Sequence, residues 1–155
     1  MKAANTKQFT RWHEALLLFL KKVITSSNVW LLRKTKGRLG NSFLGVPVLV
    51  LTTVGRKSGL PRSQPLYFME NGRQIILVAS NAGTGSDPAW LLNIRANPGA
   101  SANIRGQKRE MTAHIANPQE KAQLWPVLTK LFPKWQMMED RSKRSFPVVV
   151  LDPSE

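Results

Sequence analysis

Residues 49–67 read LVLTTVGRKSGLPRSQPLY. An apolar, β-branched run enters a connection carrying Gly55, Arg56, Lys57, Ser58, Gly59 and Arg62. A second extended segment leaves through Pro65, Leu66 and Tyr67. The pattern predicts two strands joined by a tight basic loop. Glycines let successive backbone N–H groups face one point as an anion nest, and Arg and Lys add charge-assisted hydrogen bonds. A phosphate or a group of carboxylates is the expected guest. The loop is not a P-loop, because the order G-x-x-x-x-G-K-[ST] is absent. Taken alone, its composition also suits a plain surface turn.

Working outward, residues 48–53 and 63–69 are the expected strands on either side. Glu70-Asn71-Gly72-Arg73 signals a hairpin, with Asn-Gly supplying positive φ. Residues 74–80 give a third strand, apolar through IILVA. The run NAGTGS at 81–86 is a glycine-rich turn, after which Asp87 is expected to cap a helix over 89–96 with Pro88 at its first position. The N–H groups that open such a helix also favour an anion, so both loops are placed to meet one elongated acidic ligand.

Residues 101–105 and 109–115 predict a hairpin round Gly106. Asn117-Pro118-Gln119-Glu120 reads as an N-cap, a proline at N1 and a capping-box acid. The helix that follows runs to about residue 132, with Pro126 expected to kink or break it. Residues 134–145 are polar with Trp135, Met137 and Met138 embedded, and 146–151 form a last apolar strand. About six mostly antiparallel strands with three or four helices predict a mainly β, α+β fold, an antiparallel barrel with helices outside it.

The 155 residues suit one domain, and a 42% hydrophobic share supports a packed core. The absence of Cys excludes disulfides, thiolate metal sites and a Cys nucleophile. The net charge of +14 favours anionic partners. It is densest at residues 1–38, where nine Lys/Arg face the single acid Glu14. Within that segment Phe9, Trp12, Leu16, Phe19, Leu20 and Val23 recur at steps of three and four, which predicts an amphipathic helix over 9–24. It would pack on its own domain or lie on an anionic membrane surface, with the cluster Arg33, Lys34, Lys36 and Arg38 beside acidic headgroups. The expected division is a basic helical segment, 1–38, and a barrel domain, 39–155. No run reaches the roughly 20 apolar residues of a spanning helix, and no signal peptide is evident. A cytoplasmic protein, peripheral on the inner face of the membrane through its first helix, is the expectation.

Conventional catalytic sets are missing. His13 and His114 are the only histidines, the nine acids form no evident pair, and no metal-ligand spacing appears. An enzyme of this composition relies on a cofactor for its chemistry. A basic nucleic-acid-binding module is the rival from another class, but no stripe of stacking aromatics interleaves with the cations.

As a set, LLTTxGRKSGxPR-like residues 49–62 (LVLTTVGRKSGLPR), PLYF at 65–68, an apolar strand ending in Ala79-Ser80, DPAWLLNIRANP at 87–98, a WP-containing helix and PVVVLDP at 147–153 resemble the deazaflavin-dependent nitroreductase family. The resemblance covers about residues 43–153. It implies a split β-barrel of the flavin-reductase type and coenzyme F420 as cofactor, with FMN, FAD or haem as the alternatives that keep the fold. It implies a reductase in which F420H2 passes a hydride to a quinone, a nitroaromatic or an activated alkene. Carried over residue by residue, Gly55, Arg56, Lys57, Ser58, Gly59 and Arg62 hold the acidic tail and phosphate. Pro65, Ala79, Ser80, Asn81, Trp90 and Asn93 line the deazaflavin, Pro65 beneath the ring. Tyr67 and Ser80 lie near the substrate as candidate proton donors. Two departures stand out. Asn81 replaces a Lys common in the family, and Phe132, Trp135 and Met138 replace three tyrosines of the substrate wall. That wall becomes apolar, which favours a quinone or another hydrophobic acceptor over nitroimidazoles. No metal is implied, and the choice between monomer and dimer stays open.

Overall fold

The computed structural model describes residues 42–43 and 45–154. The helix expected over 9–24 and the basic cluster after it lie outside the described residues. The elements are β1 (Ser42–Phe43), β2 (Val46–Val54), β3 (Pro61–Asn71), β4 (Gln74–Val78), a single 3₁₀ turn (Asn81–Gly83), α1 (Ala89–Ala96), β5 (Gly99–Ile104), β6 (Gln107–Ile115), α2 (Pro118–Leu131), α3 (Lys134–Ser142) and β7 (Val148–Pro153).

All pairings are antiparallel, and the strand order β2-β3-β4-β7-β6-β5 closes because β5 also pairs with β2, Val50 lying opposite Asn103. The result is a closed six-stranded barrel, with the two-residue β1 added against the start of β2. Closure removes the open edges that a sheet of this size would expose.

Alternation along each strand builds two cores. Leu49, Leu51, Phe68, Ile75, Leu77, Met111, Val149 and Leu151 point inward, and Trp90, Leu91 and Ile94 of α1 join them, so α1 closes the barrel interior. Outside, Ile76, Val78, Val148 and Val150 pack with Leu128, Phe132, Trp135 and Phe146 as a second apolar layer. Strands β4 and β7 are therefore buried on both faces, which is why IILV and VVVL carry no polar alternation.

Three local expectations are corrected. Asn71 is paired with Gln74 inside the ladder, so the tight turn is Gly72-Arg73 and the positive φ is Gly72's alone. Asp87 does not cap α1: Pro88 occupies the N-cap without a side-chain bond, because the Asp87 carboxylate is drawn to Arg95 and Arg144. Pro126 does not end α2, which runs through it to Leu131. The carbonyl freed by the missing N–H belongs to exposed Ala122, where water can satisfy it. The Asn117–Glu120 capping box forms as expected, and the polar stretch after Pro133 becomes α3 around buried Trp135.

Candidate functional site

The β2–β3 loop is held by its own backbone. Gly55 N–H donates to Leu60 O at 2.9 Å, while Ser58 and Gly59 N–H donate to Gly55 O at 3.2 and 2.7 Å. Ser58 Oγ accepts from Leu60 N–H at 3.3 Å and from the Arg62 guanidinium at 3.4 Å. The anion nest expected here is therefore corrected: these N–H groups are consumed within the loop. What the loop offers a guest is side-chain charge. Gly55 is buried because the loop folds over it, and a Cβ there would lie 2.8 Å from Ser58 Oγ and 3.1 Å from Leu60 O.

Helix α1 fixes the loop from below. Buried Asn93 accepts the N–H of Arg56 through Oδ1 at 3.1 Å and donates through Nδ2 to Thr53 Oγ1 at 3.1 Å. Thr53 and Asn93 are two of the three buried polar residues among those described, and each satisfies the other, as burial demands.

Between loop and helix lies a cleft of about 260 Å³, lined by Thr53, Gly55–Ser58, Arg62–Gln64, Ala89, Trp90 and Asn93. Arg56, Lys57 and Arg62 are exposed on it, and among the described residues no acid lies within ion-pair distance of any of them. Three uncompensated cations and the first turn of α1, whose N–H groups carry partial positive charge, favour an anionic guest.

The structure thus brings together Gly55, Arg56, Lys57, Ser58, Arg62, Trp90 and Asn93 of the expected site. Gly59 stands at the loop's outer bend with φ +67°. Ala79 and Ser80 lie at the end of β4, beyond the cleft lining. Tyr67 belongs to another layer with Phe132 and Trp135: ring centroids are 5.0, 6.5 and 5.2 Å apart. Phe132 and Trp135 are buried in the outer core, while Tyr67 and Met138 are half-buried at its margin. Pro65 faces outward on β3, opposite Val50. Burial raises the Tyr67 pKa above the ordinary value of 10.

Asn81 lies in a turn of three successive left-handed residues, with φ of 48° at Asn81, 57° at Ala82 and 76° at Gly83. Its side chain donates to Ser86 O at 3.1 Å, so it ties the turn together. Sequence reading missed Arg144, which reaches back over this turn. Its guanidinium donates to Ala79 O and Ser80 O at 3.1 Å each, to Thr84 O at 3.3 Å and to Asp87 at 2.8 Å. A single Arg in a polar stretch gives no sequence signal of such a role.

The profile of the F420H(2)-dependent quinone reductase family matches residues 25–153. It begins well before the motifs at 49–62 and inside the segment expected to be separate. An F420H(2)-dependent quinone reductase of Mycobacterium tuberculosis is 32% identical over 123 residues, covering 77% of this chain and 83% of that protein. The solved structure of an F420-H2 dependent reductase is 28% identical with a TM-score of 0.64, covering 68% of this chain and 94% of the other. A second solved chain, described as a domain-swapped dimer, is 26% identical with a TM-score of 0.66, covering 81% and 99%.

Proposed function

This chain belongs to the F420H(2)-dependent quinone reductase family, and we propose that it is an oxidoreductase that uses reduced coenzyme F420 to reduce a quinone. The observation that carries the reading is the cleft between the β2–β3 loop and α1, with Arg56, Lys57 and Arg62 free of acidic partners among the described residues. The residues fit that cofactor. Its phosphate and glutamate tail are polyanionic, and three cations beside a helix start match them in charge. The cations of the cleft place the tail there, and the ring further along, toward Ala79 and Ser80.

When bound, F420H2 supplies a hydride, which together with one proton turns a quinone into its hydroquinone. The protein's own part is to bind, orient and exclude water. Lys57 and Arg62 anchor the tail. Asn93 keeps the loop in register with α1. The acceptor lies against the apolar margin of Tyr67 and Met138, backed by Phe132 and Trp135. The Tyr67 hydroxyl or Ser80 delivers the proton to the quinone oxygen. Holding two reactants at near-attack distance supplies most of the rate. Nitroaromatics and activated alkenes are further acceptors compatible with an apolar wall. Contact of residues 1–38 with an anionic membrane rests on their charge and on the apolar periodicity of residues 9–24 in the sequence. Among the described residues no helix is long and apolar enough to cross a membrane.

The test is to follow F420H2 oxidation with menadione as acceptor, and to titrate the protein with F420, FMN and FAD in one buffer. Menadione-dependent oxidation with selective F420 binding is expected. Tight FMN or FAD binding without F420 binding would replace this reading by a flavin-dependent one.

A further inference from the structure

We propose that Arg144 is a positioning residue for the reaction, locking the end of β4 and the start of α1 into one geometry beneath the deazaflavin ring. This rests on the proposed function. The guanidinium comes from the segment after α3, far along the chain, and lies over the Phe146 ring at 4.8 Å. Its side chain is 17% exposed. The hydrogen bonds of its side chain all go to residues 79–87. Two of them are carbonyls of consecutive residues, Ala79 and Ser80, at the strand end where the ring is proposed to lie.

The segment it grips does not hold its own shape cheaply. Asn81 and Ala82 adopt left-handed conformations at φ 48° and 57°; Asn tolerates this region, but at Ala82 it costs about 1–2 kcal/mol. Such strain persists only where the surroundings over-determine it. Arg144 provides one clamp, and the Met138 side chain the other, since a Cβ on Gly83 would stand 3.3 Å from Met138.

Charge supplies the second part of the argument. Asp87 directly precedes the N-cap of α1, the helix whose first turn lines the cationic cleft. An uncompensated carboxylate there would repel an acidic cofactor. Arg144 binds Oδ1 of Asp87 at 2.8 Å and Arg95 binds Oδ2 at 2.7 Å, so both oxygens are engaged. Arg144 thus fixes the ring-side backbone and, with Arg95, neutralises the acid that precedes α1. Lysine cannot replace it, because a single ammonium lacks the planar fork that spans three carbonyls and a carboxylate.

The experiment compares wild type, Arg144→Lys, Arg144→Met and Lys57→Ala at one temperature at which all are folded. It measures Kd for F420 and for its analogue lacking phosphate and glutamates, kcat at saturating F420H2, and amide exchange at Gly83 and Thr84, whose N–H groups bond within the turn. Both Arg144 variants are expected to bind both ligands about tenfold more weakly, the equivalent of one lost charge-assisted bond. They are expected to lose kcat and to exchange faster at Gly83 and Thr84. Lys57→Ala is expected to weaken F420 alone and to leave the affinity for the analogue unchanged. Should Arg144→Met not fold, Arg144→Lys carries the comparison. Wild-type Kd and kcat in Arg144→Lys, with F420 bound normally by the wild type, would overturn the inference. So would weakening confined to F420, which would place Arg144 at the tail. Failure of the wild type to bind F420 would instead remove the proposed function, and this inference with it.

Discussion

Asn93 of α1 accepts the backbone N–H of Arg56 at 3.1 Å while donating to Thr53 Oγ1 at the same distance. One buried amide thereby joins the helix, the end of β2 and the first residue of the basic loop. Replacing it with Ala strands a backbone donor and a buried hydroxyl. Asn93→Ala is expected to destabilise the fold by about 1–3 kcal/mol and to raise the KM for F420H2. Urea unfolding and steady-state kinetics check both; unchanged stability would mean that water replaces the amide.

The two loop glycines are needed for different reasons, and their alanine variants separate them. At Gly55 the added methyl meets Ser58 Oγ at 2.8 Å and the Leu60 carbonyl at 3.1 Å. Overpacking of that kind costs about 1–3 kcal/mol and should disturb Lys57 and Arg62 as well. At Gly59 there is open space, and only the φ of +67° resists substitution, at about 1–2 kcal/mol. Thermal unfolding should therefore show both variants weakened, with cofactor affinity lowered more in Gly55→Ala.

His114 bridges Asp152 and Glu120 at 3.1 and 3.0 Å, far from the cleft lining. The hydrogen bond to Glu120 raises its pKa above 6.5, with the two carboxylate charges adding to that and burial opposing it. The same bond lowers Glu120 below 4.5. A raised His pKa stabilises the fold fully below pH 6.5, and the benefit fades as pH rises through the folded value. The depressed Glu120 contributes above pH 4.5 and is lost as pH falls through its folded value. Both act together between those limits. His114→Gln should flatten the fall in melting temperature above pH 6.5. The change is small, because the imidazole is 44% exposed and solvent screens it. A mutant whose melting profile tracks the wild type across that range would contradict the bridge.

Trp135 is 2% exposed and packs edge-on against Phe132 and Tyr67. Trp135→Ala should cost about 3–5 kcal/mol, measured by chemical unfolding. Because Trp135 belongs to the outer layer and the cationic cleft to the barrel's α1 end, F420 affinity of the folded variant should stay near wild type.

The barrel was largely legible in the sequence, because its strands are punctuated by glycine and asparagine and apolar where both faces are covered. The capping box at Asn117 and Glu120 was readable for the same local reason. Long-range partners decided what was not. Asp87 has the sequence signature of a cap, yet Arg144, 57 residues later, and Arg95 claim its carboxylate. The basic loop has the composition of an anion nest, yet its N–H groups turn inward to Gly55 O, Leu60 O and Asn93. Pro126 would end an isolated helix, but packing of Leu124, Trp125 and Leu128 on the outer layer carries α2 through it. The cations were visible as charges, whereas their lack of acidic partners among the described residues needed the fold.

The central claim is that the cleft under the β2–β3 loop holds the acidic tail of F420, and a direct binding titration tests it. Kd for F420 should be measured for wild type and for the Lys57→Ala/Arg62→Ala double variant, with the tail-less analogue as control. The account predicts that F420 binding weakens about tenfold or more in the double variant, while the analogue binds both proteins alike. Equal affinity of the two proteins for F420 would contradict it.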